Sequence, residues 1–165
     1  MILHKLKNKK GFSLVEVLVG SSIICLSLIL IVNLEAGISK IGLSSTGRVQ
    51  AGMLAEEGVT AIQNIRNSSW QNISSLNNGV EYGLVWNDTL NSWVSTTTIS
   101  SIDNNFVRTF TLSEARRDAV SFDIVTSGGV IDLGTRKFTV NISWNSGFGT
   151  STKTMTSYIY NIYNN

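Results

Sequence analysis

The chain has no proline and a single cysteine, Cys25, among its 165 residues. A lone thiol cannot close an intrachain disulfide, so whatever folds here is held by packing and pairing rather than by cross-links. Without proline, no helical run carries the residue that most sharply kinks or stops one. Histidine is equally scarce. The one imidazole, His4, lies in a basic stretch at the amino terminus, which leaves the rest of the chain without one for acid–base work or metal ligation. Serine is plentiful, but no G-x-S-x-G or S-x-x-K pattern activates it, so an enzyme is not expected. Charge is also thin, with Asp, Glu, Lys and Arg making up 15% of residues. Residues 1–11 hold four of the thirteen basic residues and none of the eleven acidic ones, leaving nine positive against eleven negative side chains beyond them. That balance provides no electrostatic footprint for nucleic acid.

What the chain does have is one long apolar run. From Phe12 to Leu34 it reads FSLVEVLVGSSIICLSLILIVNL, with Glu16 as the only charged side chain. At helical rise this spans roughly 35 Å, enough to cross a hydrocarbon core of about 30 Å. A carboxylate in such a segment costs about 2.5–3.5 kcal/mol on insertion, which marks Glu16 as a candidate functional residue. The alternative is a side chain that snorkels to the nearer interface. His4, Lys5, Lys7, Lys9 and Lys10 precede the run, and the positive-inside rule keeps such a flank in the cytoplasm, with the remainder across the membrane. An ordinary secretory signal has an apolar core of about 7–15 residues followed by a small-x-small cut site. Here the run is longer, contains Glu16 and ends in Val32-Asn33-Leu34-Glu35-Ala36-Gly37, a poor cut site. Ser22-Ile23-Ile24 before Cys25 lacks the small residue expected beside a lipidated cysteine. An uncleaved signal anchor stays open on these grounds. Within the run, Cys25 reads as a small apolar packing residue, and Gly20-Ser21-Ser22 as a point where the helix loosens or packs closely.

Lys9-Lys10-Gly11-Phe12-Ser13-Leu14-Val15-Glu16 resembles the amino terminus of a type IV prepilin: a short basic leader ending in Gly, then Phe, then Glu at the fifth position of an apolar segment. The resemblance covers roughly the first 35 residues. It implies cleavage between Gly11 and Phe12 by a prepilin peptidase, N-methylation of the new Phe12 amine, and an assembly role for Glu16. In a dry packed array, Glu16 would pair with the Phe12 amine of a neighbouring subunit, and breaking a buried pair of that kind costs about 3–5 kcal/mol. The implied partners are the peptidase, other pilin subunits, an inner-membrane assembly platform and, before assembly, membrane lipid. No cofactor is implied. The implied location is a single pass in the inner membrane with the amino terminus in the cytoplasm, then an extracellular or periplasmic fibre. The chain departs from many pilins in having neither a C-terminal disulfide nor a helix-kinking proline. A type II secretion pseudopilin shares the same leader and stands as the alternative.

Beyond Leu34 the sequence predicts a helical continuation to about residue 69, with a weak middle at Gly37, Gly42 and Gly47. Ala51, Leu54, Ala55, Gly58, Val59, Ile62 and Ile65 form one apolar stripe; Glu56, Glu57, Thr60, Gln63, Asn64 and Asn67 take the other face. Ser68-Ser69 ends the helix and Trp70 turns back over the core. The stretch LAEEGVTAIQNIRNSSW also resembles a segment of minor, PilV-type pilins. From Gly79 the pattern becomes strands. Tyr82–Trp86 and Ser92–Thr96 flank the turn-prone Asn87-Asp88, and Asn104, Phe106, Arg108, Phe110 and Leu112 share one face. Phe138, Val140, Ile142 and Trp144 alternate, Asn145–Gly149 turns, and a return strand runs from Lys153 to Tyr163. The fold class expected is α+β, a long helix packed on an antiparallel sheet as in the type IV pilin fold. The expected organisation is a leader over 1–11, a transmembrane and assembly helix over 12–34, its continuation over 35–69 and a sheet domain over 70–165.

The weak candidates are acids and asparagines. Asp118, Asp123 and Asp132 offer a carboxylate pair, and Asp123 and Asp132 with carbonyls around Gly128-Gly129 offer oxygen ligands for calcium, but no EF-hand spacing is present and no metal site is expected. N-x-[S/T] triplets begin at Asn67, Asn72, Asn87 and Asn141, about as many as the Asn, Ser and Thr content yields by chance. The leader gives the sharpest test. Intact-mass measurement of the membrane or sheared-fibre form, made in the presence of a prepilin peptidase, should show a chain that begins at Phe12 and is one methyl group heavier than its sequence. A dominant species retaining Met1–Gly11 would refute the assignment.

Overall fold

The structure is a computed structural model that describes residue 11, residues 13–147 and residues 149–163. Helix α1 runs from Leu14 to Ser68, followed by the single turn α2, Gln71–Ser74. The strands are β1 (Tyr82–Asn87), β2 (Ser92–Thr96), β3 (Ser101–Ile102), β4 (Phe106–Arg117), β5 (Ile124–Val125), β6 (Val130–Asn145) and β7 (Thr150–Tyr160). The chain divides into two units at Gly42/Leu43. Helical structure is unbroken through Gly20, Gly37, Gly42 and Gly47, where a weak middle is expected from composition. Each glycine costs only about 1 kcal/mol in a helix, and there is no proline to remove a hydrogen bond outright.

In the second unit the sheet is antiparallel throughout, in the order β2-β1-β4-β6-β7. β4 is its axis: β6 pairs along one edge, while β3, β1 and β5 share the other in succession. The alternation read from the sequence sets the buried face. Opposite pairs Phe106–Trp144, Phe110–Val140 and Leu112–Phe138 stand on the same side, all at most 5% exposed. Against them lie Ala51, Ala55, Ile62 and Ile65 of α1. Trp70 and Ile73 close one end, and Arg136 ties α2 to β6 by donating to the Ser74 carbonyl at 2.9 Å. The two short strands β3 and β5 were not expected from the sequence; two residues carry no period to read. The return strand ends at Tyr160 rather than Tyr163.

At Gly58 and Gly47 the helix backbone lies close against side chains of the sheet. A β-carbon at Gly58 would meet Val140 Cγ1 at 2.9 Å and Arg108 Cδ at 3.2 Å; one at Gly47 would meet Trp144 Nε1 at 2.7 Å. Val140 is fully buried and β-branched, so it has little room to yield. By contrast, a β-carbon at Gly52 would meet nothing within 4 Å. The two positions should therefore respond oppositely to the same change. Gly52→Ala should stabilise the domain by up to about 1 kcal/mol through helix propensity. Gly58→Ala should lose that gain to overpacking of about 1–3 kcal/mol and lower the melting temperature. Thermal unfolding of both variants checks the pair, and equal stabilisation would show that the interface is not tight at Gly58.

Candidate functional site at the amino-terminal helix

The first unit is a helix with no apolar side to hide. Leu28, Ile29, Leu30, Ile31 and Val32 are five consecutive residues, each more than half exposed. At 100° per residue they encircle the axis, so the surface is apolar all round rather than in one stripe. The same exposure holds from Leu14, at 77%, to Ile41, at 65%. A helix of this kind is stable in lipid or in a bundle of like helices, provided its polar groups are satisfied internally. Three of its serines meet this requirement: Ser21 donates to the Leu18 carbonyl at 3.0 Å, Ser22 donates to the same oxygen, and Ser27 donates to the Ile23 carbonyl at 2.8 Å. Back-bonding of this type keeps hydroxyls in an apolar segment without orphaned donors. Cys25 is exposed on the same surface.

Glu16 sits in the first turn, where the helix macrodipole favours a negative charge. Its Oε2 accepts the backbone N–H of Ser13 at 3.0 Å, and the Val17 N–H donates to the Ser13 carbonyl at 3.2 Å. Ser13 is thus the residue that caps the helix, and Glu16 forms one limb of a capping box. The S-x-x-E spacing of Ser13 and Glu16 carries this signal in the sequence. Gly11 is exposed and outside the helix, while Phe12 and the basic leader lie outside the described residues.

Of the three aspartates singled out from the sequence, Asp118 and Asp132 have partners for their carboxylates, while Asp123 is engaged through its backbone, its N–H donating to Ser121 Oγ at 3.3 Å and its carbonyl accepting the Asp118 N–H at 2.9 Å. Asp118 Oδ1 accepts the N–H groups of Val120 and Ser121, which hold its carboxyl below the usual range. Asp132 gathers an irregularity in β6: the register passes from Glu114–Arg136 to Ala115–Asp132, leaving Leu133, Gly134 and Thr135 without partners on β4, while Thr135 stays paired with Tyr160 of β7. Thr135 Oγ1 donates to Asp132 Oδ2 at 2.5 Å, Arg117 Nε to the same oxygen at 2.6 Å, and the Gly134 N–H to Oδ1 at 2.9 Å. Nearby, Gly129 adopts φ +62, and a β-carbon there would lie 2.3 Å from the Arg117 carbonyl oxygen, so only glycine fits. Among the described residues no group of three or more His, Cys, Asp or Glu side chains is placed to hold a metal ion.

The prokaryotic N-terminal methylation motif matches residues 6–32. No curated protein and no solved structure matches the chain. The motif, on an apolar helix that leads into an antiparallel sheet domain, supports a type IV pilin-like or pseudopilin exported subunit. Such a motif implies processing by a peptidase and assembly with other pilins. It fits anchorage in the inner membrane followed by incorporation into a surface fibre.

Asp132 yields a pH prediction. Thr135 and then Arg117 depress its folded-state pKa. A depressed carboxylate favours the folded state above its unfolded value of about 3.9, and that contribution fades as pH falls through the folded-state pKa. The melting temperature should therefore drop as the pH is lowered below about 4, and Asp132→Asn should flatten that drop. An unchanged acid profile in the variant would remove Asp132 from the account.

Proposed function

We propose that the chain is a minor subunit of a type IV pilus-like fibre, cut between Gly11 and Phe12, methylated at the Phe12 amine and assembled through α1. The observation that carries this reading is a helix apolar over its whole circumference with one carboxylate, Glu16, in its first turn. In lipid that carboxylate is costly; in a staggered array of the same helices it has cationic amines to meet. The basic leader ahead of it supports a cytoplasmic amino terminus before assembly. The likeness of residues 54–70 to minor, PilV-type pilins supports a minor rather than a major role.

The Ser13–Glu16 hydrogen bond sharpens the test, because a variant that loses Glu16 loses a helix cap as well as a charge. Glu16→Gln keeps a side-chain acceptor for the Ser13 N–H and removes only the charge. Glu16→Val removes both. If charge pairing sets register, both variants should be cleaved and inserted normally yet enter fibres at least tenfold less than wild type, a modest consequence of losing a pair of about 3–5 kcal/mol. Quantitative immunogold labelling of sheared fibres reads the outcome. Wild-type incorporation of Glu16→Gln would leave Glu16 with a capping role alone.

A further inference from the structure

Arg66, near the carboxy-terminal end of α1, donates to the Tyr160 carbonyl at 2.9 Å and to Asn67 Oδ1 at 2.9 Å. Arg66 does not line the surface between the end of α1 and the β1–β2 hairpin. Two adjoining hollows lie there, of about 520 Å³ and about 400 Å³, which share Ser68, Ser92 and Trp93. Their linings contain no ionisable side chain. Two other clefts of the sheet are charged, one by Glu114, Arg116 and Lys137 and the other by Glu114, Asp132 and Arg136. The neutral pair combines tryptophan rings with amides and hydroxyls. Among the described residues, the side-chain amides of Asn64, Asn72 and Asn91 make no hydrogen bond.

The aromatic wall is fixed in advance. Trp86 and Trp93 oppose each other across the hairpin, with ring centroids 5.8 Å apart at 79°. Trp93 also lies against the Arg108 guanidinium, 5.1 Å from its centroid, and Arg108 is pinned by Glu57 Oε2 at 2.9 Å. Trp86 is left 44% exposed, and Leu90 at the hairpin loop 64% exposed. The loop itself is held by the Leu90 N–H donating to Asn87 Oδ1 at 3.0 Å, with Asn91 at φ 46.

We infer that this groove, between the β1–β2 hairpin and the end of α1, binds a neutral saccharide. A sugar ring offers apolar C–H faces and a periphery of hydroxyls. An indole supplies a large flat apolar area for the first, and amides and hydroxyls supply donors and acceptors for the second. The missing charge disfavours phosphorylated, sulfated or carboxylated ligands, which would be desolvated here without a counter-ion. A purely apolar ligand would strand the amides, each at a cost of about 1–3 kcal/mol. The volumes fall within the ordinary range of small-molecule sites, about 300–1,000 Å³. This inference stands apart from the assembly role of α1, since none of its residues precedes Asn64.

The test uses the full chain in a zwitterionic detergent with no sugar headgroup, titrated with cellohexaose, chitohexaose and mannohexaose, and with a heparin hexasaccharide as anionic control. At least one neutral hexasaccharide should bind saturably by calorimetry and perturb tryptophan fluorescence, while heparin does not. Trp86→Ala should weaken binding at least tenfold, and Asn64→Ala or Asn91→Gly at least threefold, with melting temperatures unchanged. The two asparagine variants keep the test decisive should the tryptophan variant unfold. Failure of all three neutral sugars to bind, equal binding of heparin, or wild-type affinity in the asparagine variants would overturn the inference.

Discussion

The second unit depends on how closely α1 can lie on the sheet. Gly47, Ala51, Ala55 and Gly58 recur at helical spacing and bring the helix backbone down onto the inward side chains of β4 and β6. The stripe then widens to Ile62 and Ile65, and Trp70 and Ile73 fill the end where the helix stops. Small residues allow close approach; large ones then contribute the apolar area, each full burial worth about 1.5–3 kcal/mol. The same approach traps Arg108, which is 5% exposed on the inward face of β4. Its charge is balanced by Glu57, at 47% exposure, and its guanidinium also reaches the Leu54 carbonyl at 3.4 Å and the Trp93 ring. The Nε of Arg108 has no partner among the described residues. Removing Glu57 would leave an uncompensated interior charge, so one exposed helix residue secures the centre of the sheet.

β4 is the strand on which the rest of the sheet is registered. Its contact with β6 is regular from Phe106–Trp144 to Glu114–Arg136 and then jumps, because Asp132 collects Gly134 and Thr135 into a local loop. Arg117 joins this knot from β4 and also donates to the Phe122 carbonyl at 2.8 Å, so one guanidinium fixes both the irregularity and the loop that leads into β5. Charged residues thus finish the far end of a sheet whose middle is held by apolar pairs.

The first unit answers a different solvent. Its serines return their hydrogen bonds to their own helix, and its apolar side chains face outward on every side. Glu16 is the one charged side chain of the apolar run from Phe12 to Leu34, yet it begins the helix by accepting the Ser13 N–H. A carboxylate that caps its own helix is partly satisfied before any partner arrives. The methylation motif over residues 6–32 supports a type IV pilin-like or pseudopilin exported subunit.

Much of this was legible in the order of residues. Length and apolarity mark the helix from Leu14 onward, because a single membrane-length apolar run satisfies its backbone in lipid only as a helix. The stripe from Ala51 to Ile65 and the alternation of Phe106–Leu112 and Phe138–Trp144 specified an α+β layout, since periods of 3.6 and 2 are local properties. The S-x-x-E cap at Ser13 was legible too, but required setting aside the cost of the charge. Other features belong to the tertiary structure alone. Gly47 and Gly58 look like helix weaknesses until Trp144 and Val140 are seen against them. Arg108 looks like one member of an alternating strand until Glu57, fifty-one positions earlier, meets it. Trp86, Trp93 and Asn64 share a groove only because the hairpin folds beside the end of α1. Periodicity tells a side chain which way to point, whereas its partner is chosen by the packing of distant segments, and that no local pattern contains.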